Sequence, residues 1–216
     1  MNKLKFKTYY KRTLPHFQVN DGIYAITFRL AFSLPKGIIV KMKFEKKQYD
    51  DKVKKLTGEK LKSYRHEFDK KYYDDFDNFI GKYNKSHGWL KQKACGEIVF
   101  DSIQYWDEKR YKLYCFCIMP NHVHLLIKPL SESDETCYSL SKILFSIKRY
   151  TAGNCNKKLG RKGQFWQHES YDHFIRNEDD FYYQMDYILQ NPVKAKLTKN
   201  WEDWTFVYLN KKNLHT

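Results

Sequence analysis

The stretch from Tyr111 to Lys128, YKLYCFCIMPNHVHLLIK, leaves this chain few architectures. Residues 111–119 are apolar at nearly every position. Successive side chains of a strand point to opposite faces, so a strand built from them is covered on both sides and central. Cys115 and Cys117, two apart, suit small buried side chains on one of those faces. Residues 122–128 form a second strand, with His122 and His124 on one face and Val123, Leu125 and Ile127 on the other. Pro120 and Asn121 supply the turn, and two strands joined so closely pair as a hairpin.

The flanking segments complete a layered fold. Residues 23–34, IYAITFRLAFSL, are rich in β-branched and aromatic types and read as a first strand ending at Pro35. Cys95, Ile98, Val99, Ser102 and Trp106 recur at the spacing of an amphipathic helix. After the hairpin, Leu140, Ile143, Leu144 and Ile147 mark a second helix, with Lys148 and Arg149 off its apolar stripe. Residues 157–166 read as a basic, glycine-containing loop, and 171–176 as a short strand. A last helix covers 178–190, capped by Asn177 and stopped by Pro192. Strand, helix, strand, strand, helix, strand, helix is an α+β order: a ferredoxin-like, split βαβ antiparallel sheet with an extra C-terminal helix. Residues 41–85 stand apart, crowded with lysines, acids and tyrosines. Leu61, Tyr64, Phe68 and Tyr72 fall there at helical spacing, so the segment reads as a charged helical insertion in a single domain of 1–216.

Charge narrows the partners. Forty Lys and Arg against 25 Asp and Glu leave +15. Such a surplus favours a polyanion, because every neutralised phosphate releases condensed counterions. Nucleic acid leads, ahead of an anionic membrane surface, and solubility alone is the bland alternative. No run approaches the roughly 18 apolar residues of a membrane span, and the N-terminus lacks the apolar core of a secretory signal. Five cysteines with no CxxC pair fit a reducing, cytoplasmic setting.

Two imidazoles side by side on a strand can begin a metal site, although the HVH triplet alone is equally a pair of half-exposed histidines. The last helix adds to them. Its apolar stripe runs through Phe181, Met185, Ile188, Leu189 and Pro192, while Tyr187 and Asn191, spaced i, i+4, lie together on another side. A phenol and an amide oxygen could meet the histidines there, and a metal held by them would polarise a phosphate. Tyr182 and Tyr183 compete for the phenol's role from the same helix.

The segments CIMPNHVHLLIKP, SIKRYTAGN, GQFWQHESYDHFIRN and MDYILQNPVKAKL resemble the REP-associated tyrosine transposases, relatives of the insertion-sequence-200/605 transposases. The resemblance covers the first strand and roughly residues 90–205. It implies an HUH endonuclease core in which His122 and His124 bind a divalent cation, magnesium or manganese, and Tyr187 is the nucleophile. It makes Asn191 the third ligand, where the classical enzymes carry Gln, with Gln190 as the fallback. It also implies cleavage and rejoining of single-stranded or hairpin DNA through a 5′-phosphotyrosine, by a monomer or homodimer. Lys148, Arg149, Arg161, Lys162, Arg176 and Lys194 are candidates to track a DNA backbone, and Trp166 to stack on bases. His168 and His173 are weaker candidate ligands. Alternatives are a domesticated hairpin nickase, a non-catalytic nucleic-acid-binding module, and an HUH initiator or relaxase, which the short chain disfavours.

Overall fold

The computed structural model describes residues 6–11, 15–19, 21–31, 35–61, 64, 68, 71, 75, 78–80, 88–133 and 136–214. They divide into two compact units, Met1–Ala31 with Gly88–Thr216, and Phe32–His87.

In the larger unit, β1 (Phe6–Lys11) and β2 (Pro15–Val19) form an N-terminal hairpin that sequence periodicity did not reveal. The strand β3 (Tyr24–Leu30) follows, buried throughout; positions 32–34 of the expected first strand lie outside the described residues. In the smaller unit, helix α1 (Lys36–Val53) opens directly behind Pro35, whose missing N–H costs nothing at a helix start. Its Tyr49 ring stacks on Phe68 at 3.9 Å and on Tyr64 at 5.7 Å. The helical spacing read from Tyr64 and Phe68 therefore serves packing within this unit; Tyr72 lies outside the described residues.

The chain re-enters the larger unit at α2 (Lys93–Tyr105), then runs through β4 (Tyr111–Ile118) and β5 (His122–Pro129). A small ribbon of β6 (Ser131–Ser133) and β7 (Thr136–Cys137) precedes α3 (Leu140–Lys158), β8 (Trp166–Phe174), α4 (Glu178–Lys194) and β9 (Val207–Leu209). Five strands make one antiparallel sheet in the order β8-β3-β5-β4-β9. The first four have the ferredoxin-like order, and β9 extends the edge beside β4. The central hairpin forms as the sequence implies, with Ile118 opposite Val123.

The two sheet faces carry separate cores. On one, Ile26, Phe28, Leu113, Phe116, Val123 and Leu125 pack under α2 and α3, which contribute Val99, Ile103, Ile143 and Ile147. On the other, Ala25, Cys115, Cys117 and Leu126 receive Ile188 and Leu189 of α4. Each buried Ile or Leu is worth about 1.5–3 kcal/mol, enough to dock a helix. A bulge between Leu113 and Cys115 turns Tyr114 onto the α4 face, where its ring meets Phe181 edge-on at 5.0 Å. Gly96 of α2 lies against the ring of Phe206, a contact that a methyl group would turn into overlap. Gln18 ties the N-terminal hairpin to α3: its amide accepts from Leu140 N at 2.9 Å and donates to Tyr138 O at 2.8 Å.

Two boundaries correct the sequence reading. The last strand is longer than 171–176, starting at Trp166, because β3 supplies a partner back to Leu30. The last helix runs past Pro192 to Lys194. A proline deletes only one backbone bond, and so near the terminus the turn is carried on by Ala195 N to Asn191 O and Leu197 N to Pro192 O, both 2.9 Å.

Candidate active site

Register, rather than periodicity, assembles the polar centre of the α4 face. Thr27 lies opposite His124, and Arg29 opposite His122, across the β3–β5 ladder. All four are buried, with Thr27 and His124 at 0% exposure. His122 Nδ1 contacts Asn121 Oδ1 at 2.6 Å, and His124 Nδ1 contacts Thr27 Oγ1 at 2.9 Å. An amide oxygen only accepts, so His122 carries its proton on Nδ1 and its lone pair on Nε2. A donated bond from His124 Nδ1 to the threonine hydroxyl would give that ring the same tautomer. Both Nε2 atoms are buried, and the rings sit edge to face with centroids 4.7 Å apart. Orienting partners on one nitrogen with the other left to coordinate is the usual arrangement around a histidine-bound metal.

Helix α4 brings its residues onto this pair. The Tyr187 ring stands perpendicular to His124, centroid to centroid 6.2 Å. Tyr182 and Tyr183 are 47% and 44% exposed, whereas Tyr187 turns its ring toward His124. Tyr187 and Asn191 were read as lying away from the buried stripe. Both are buried instead, at 9% and 4% exposure, because the helix face that meets the sheet includes them. Asn191 Nδ2 donates to Tyr187 O at 3.0 Å, which turns its Oδ1 away from the helix backbone. Gln190, the fallback, is only half-buried. Lys194 holds its ammonium 4.0 Å from the Tyr187 ring centroid, a cation–π contact.

Imidazole nitrogens with an amide oxygen are donors whose chemistry suits a divalent cation acting on a phosphate. Among the described residues no group of three or more His, Cys, Asp and Glu side chains is arranged to hold a metal. Cys115 does not compete, since burial pushes its thiol well above the ordinary range and keeps it protonated.

The remaining sequence candidates divide. Arg149, Lys162 and Arg176 are exposed. Arg149 rides on α3, across the sheet from the histidines, and so does not join the site. Lys148 spends its ammonium on the carbonyls of Gln167 (3.0 Å) and His168 (3.3 Å). Arg161 bonds Asn156 Oδ1 and Gln164 O and covers the Trp89 ring at 3.8 Å, bracing its loop. Trp166 is 5% exposed, packs edge-on against Phe28 and donates its indole N–H to Thr151 Oγ1 at 2.8 Å, contacts that place it in the core. His168 is exposed. His173 is no ligand either, because its Nε2 meets both oxygens of Asp180 at 2.9 and 3.0 Å and pins the start of α4 to β8. Burial, the largest influence, pushes the Asp180 carboxyl up. The bonds and charges of His173 and Arg176 outweigh it and hold the carboxyl below its usual value. Arg29, Thr27 and Asn121 were missed by the sequence reading. An arginine inside the apolar run ITFRL was the available signal.

Known proteins resemble this chain in sequence and in fold. A REP-associated tyrosine transposase of Escherichia coli (strain K12) is 30% identical over 99 residues, 46% of this chain and 54% of that protein. A putative one of Haemophilus influenzae is 27% identical over 101 residues, 44% of this chain and 57% of that protein. The matches thus span little more than half the length of these relatives. The solved structure of a REP-associated tyrosine transposase bound to a REP hairpin shares the fold, with a TM-score of 0.50 at 17% identity over 96% of this chain and 82% of that one. Residues 79–191 match the family model described as "Transposase IS200 like". With more than half of its length matched, the chain belongs to the IS200-like transposase family.

Proposed function

We propose that this chain is a metal-dependent, single-tyrosine transposase of the REP-associated type, which cleaves and rejoins single-stranded hairpin DNA. The observation that carries the reading is the approach of the Tyr187 ring to His124, 6.2 Å between centroids, from a different element of the same chain. His122 Nε2, His124 Nε2 and Asn191 Oδ1 would hold the cation, magnesium or manganese. When bound, it withdraws charge from a phosphate oxygen and eases attack at phosphorus.

The chain's own groups do the rest. The Tyr187 phenol oxygen attacks phosphorus and loses its proton to solvent, while the P–O3′ bond breaks and a 3′-hydroxyl departs with a proton. The 5′-phosphotyrosine conserves the phosphodiester, so a second 3′-hydroxyl reseals the strand by the reverse exchange. Thr27 and Asn121 hold the imidazoles in register, and Lys194 keeps a positive charge beside the nucleophile. Lys162 and Arg176 are exposed and would meet the DNA backbone. The approach of Tyr187 to His124 within one chain supports action as a monomer. Residues 1–216 then act as one transposase domain, with 41–85 as a charged helical insertion.

The test is incubation with labelled single-stranded hairpin DNA and manganese. A covalent protein–DNA adduct is expected, lost in Tyr187→Phe and retained in Tyr182→Phe and Tyr183→Phe. An adduct that survives Tyr187→Phe sinks the reading.

A further inference from the structure

We propose that the outer face of α3 is a second nucleic-acid surface, which holds a single-stranded stretch of DNA away from the catalytic face. The proposal rests on the transposase reading only for the identity of that strand. Helix α3 buries Ile143, Leu144, Ile147, Thr151 and Cys155, and it carries five Lys and Arg residues with no Asp or Glu. Its other side exposes two rings, Phe145 at 62% and Tyr150 at 58%. Covering such rings is favourable, so a partner that reaches both gains from it.

Charge selects that partner. Arg149 lies between the two rings, its guanidinium 5.8 Å from the Phe145 ring centroid, and Lys157 is exposed two turns on. Arg149, Gly153 and Lys157, each four residues from the next, form one ridge. A Cβ at Gly153 would meet nothing within 4 Å, so the ridge is open in its middle. Rings interleaved with cations match a single strand, which offers a base with a π face and a phosphate at each step. A duplex hides those faces, and a second copy of this chain would set like charge against like. From Phe145 to Lys157 the helix runs about 18 Å, room for several nucleotides.

The fold also supplies a path. Asn156 donates to Gly163 O at 2.8 Å, which places the loop of exposed Lys162 against the end of α3. That loop leads into β8, whose Trp166 pairs with Leu30, next to the Arg29–His122 pair. A strand leaving the histidines can pass Lys162 at this end of the sheet and continue along α3.

The test compares a fluorescent hairpin bearing single-stranded flanks with the same hairpin lacking them, by anisotropy in a chelator across a salt series. Phe145→Ala and Tyr150→Ala should each bind the flanked hairpin about five- to a hundred-fold more weakly, at unchanged salt slope. Arg149→Gln should lower that slope by about one. The flankless hairpin should bind every variant as it binds the wild type.

Wild-type affinity of both alanine variants for the flanked hairpin overturns the proposal, as does an equal loss for the two DNAs. So does a dimer in sedimentation that Phe145→Ala dissolves without changing DNA affinity, since a second copy then covers the face. Adduct formation with manganese is followed separately. If the wild type forms none, yet the variants lose flank binding, the catalytic reading falls and the surface stands. Should an alanine variant not melt cooperatively, Arg149→Gln decides, and a wild-type slope there overturns the proposal.

Discussion

Replacing Thr27 by Val tests whether the hydroxyl next to His124 prepares the metal site. The change is close to isosteric and keeps a β-branched side chain at a buried strand position, so packing with α4 is preserved. It removes one oxygen, the partner of His124 Nδ1 at 2.9 Å, between two residues at 0% exposure. A buried nitrogen stripped of such a bond costs about 1–3 kcal/mol. For a chain of this size each kcal/mol lowers the melting midpoint by about 2–4 °C. The same oxygen holds His124 in the tautomer that turns its lone pair outward at Nε2. Losing such an orienting partner weakens metal binding about 10–100-fold. Differential scanning with and without manganese separates the two effects. At a metal concentration a hundred times the wild-type Kd, binding stabilises the fold by about 2.7 kcal/mol. With a Kd a hundredfold weaker, the same concentration gives only about 0.4 kcal/mol. The variant should therefore melt lower and also gain much less from manganese. An undiminished gain, with calorimetric affinity within about twofold of wild type, refutes the orienting role.

Other substitutions test neighbouring claims. Lys162→Gln should lower the salt slope of DNA binding by about one without changing the melting midpoint. Trp166→Phe should leave DNA affinity alone and cost about 1–3 kcal/mol of stability, because it deletes the bond to Thr151 inside the core; lost affinity at unchanged stability contradicts its placement. The Asp180 carboxyl titrates below its unfolded value of about 3.9, so its contribution is complete above that pH and drains away as pH falls toward the folded value. Asp180→Asn should melt lower than wild type at pH 7, and the two midpoints should draw together as the pH falls below the ordinary carboxyl value of about 3.9; parallel curves defeat the assignment. Gly96→Ala gains about 1 kcal/mol in helix propensity but loses about 1–3 kcal/mol to overlap with the Phe206 ring, and should be neutral to destabilised by urea titration.

The central hairpin was legible because it is local. Apolarity on both faces of 111–118 and alternation from His122 onward depend only on neighbouring side chains, and the turn at Pro120–Asn121 joins them directly. Helices α2 and α3 were legible for the same reason. The hairpin of β1 and β2 and the edge strand β9 were not, since neither alternates clearly and β9 is defined by what it pairs with. The stripe of α4 was half-read. Ile188 and Leu189 were placed inward correctly, but a hydrophobic tally cannot tell that Gln184, Tyr187 and Asn191 share the inward face, because polar residues there are admitted by what the sheet presents to them.

By itself the sequence determined which residues share a face in the central hairpin and in α2 and α3, and with them the split βαβ order and the pairing of His122 with His124. Only the tertiary structure decided which distant residues meet those histidines. Thr27 reaches His124 from 97 positions away, Arg29 arrives beside His122 through ladder register, and Tyr187 is selected from three helix tyrosines by the angle at which α4 docks. Periodicity specifies a face but not the register of a strand or the rotation of a helix, and those two quantities are set when the whole core closes.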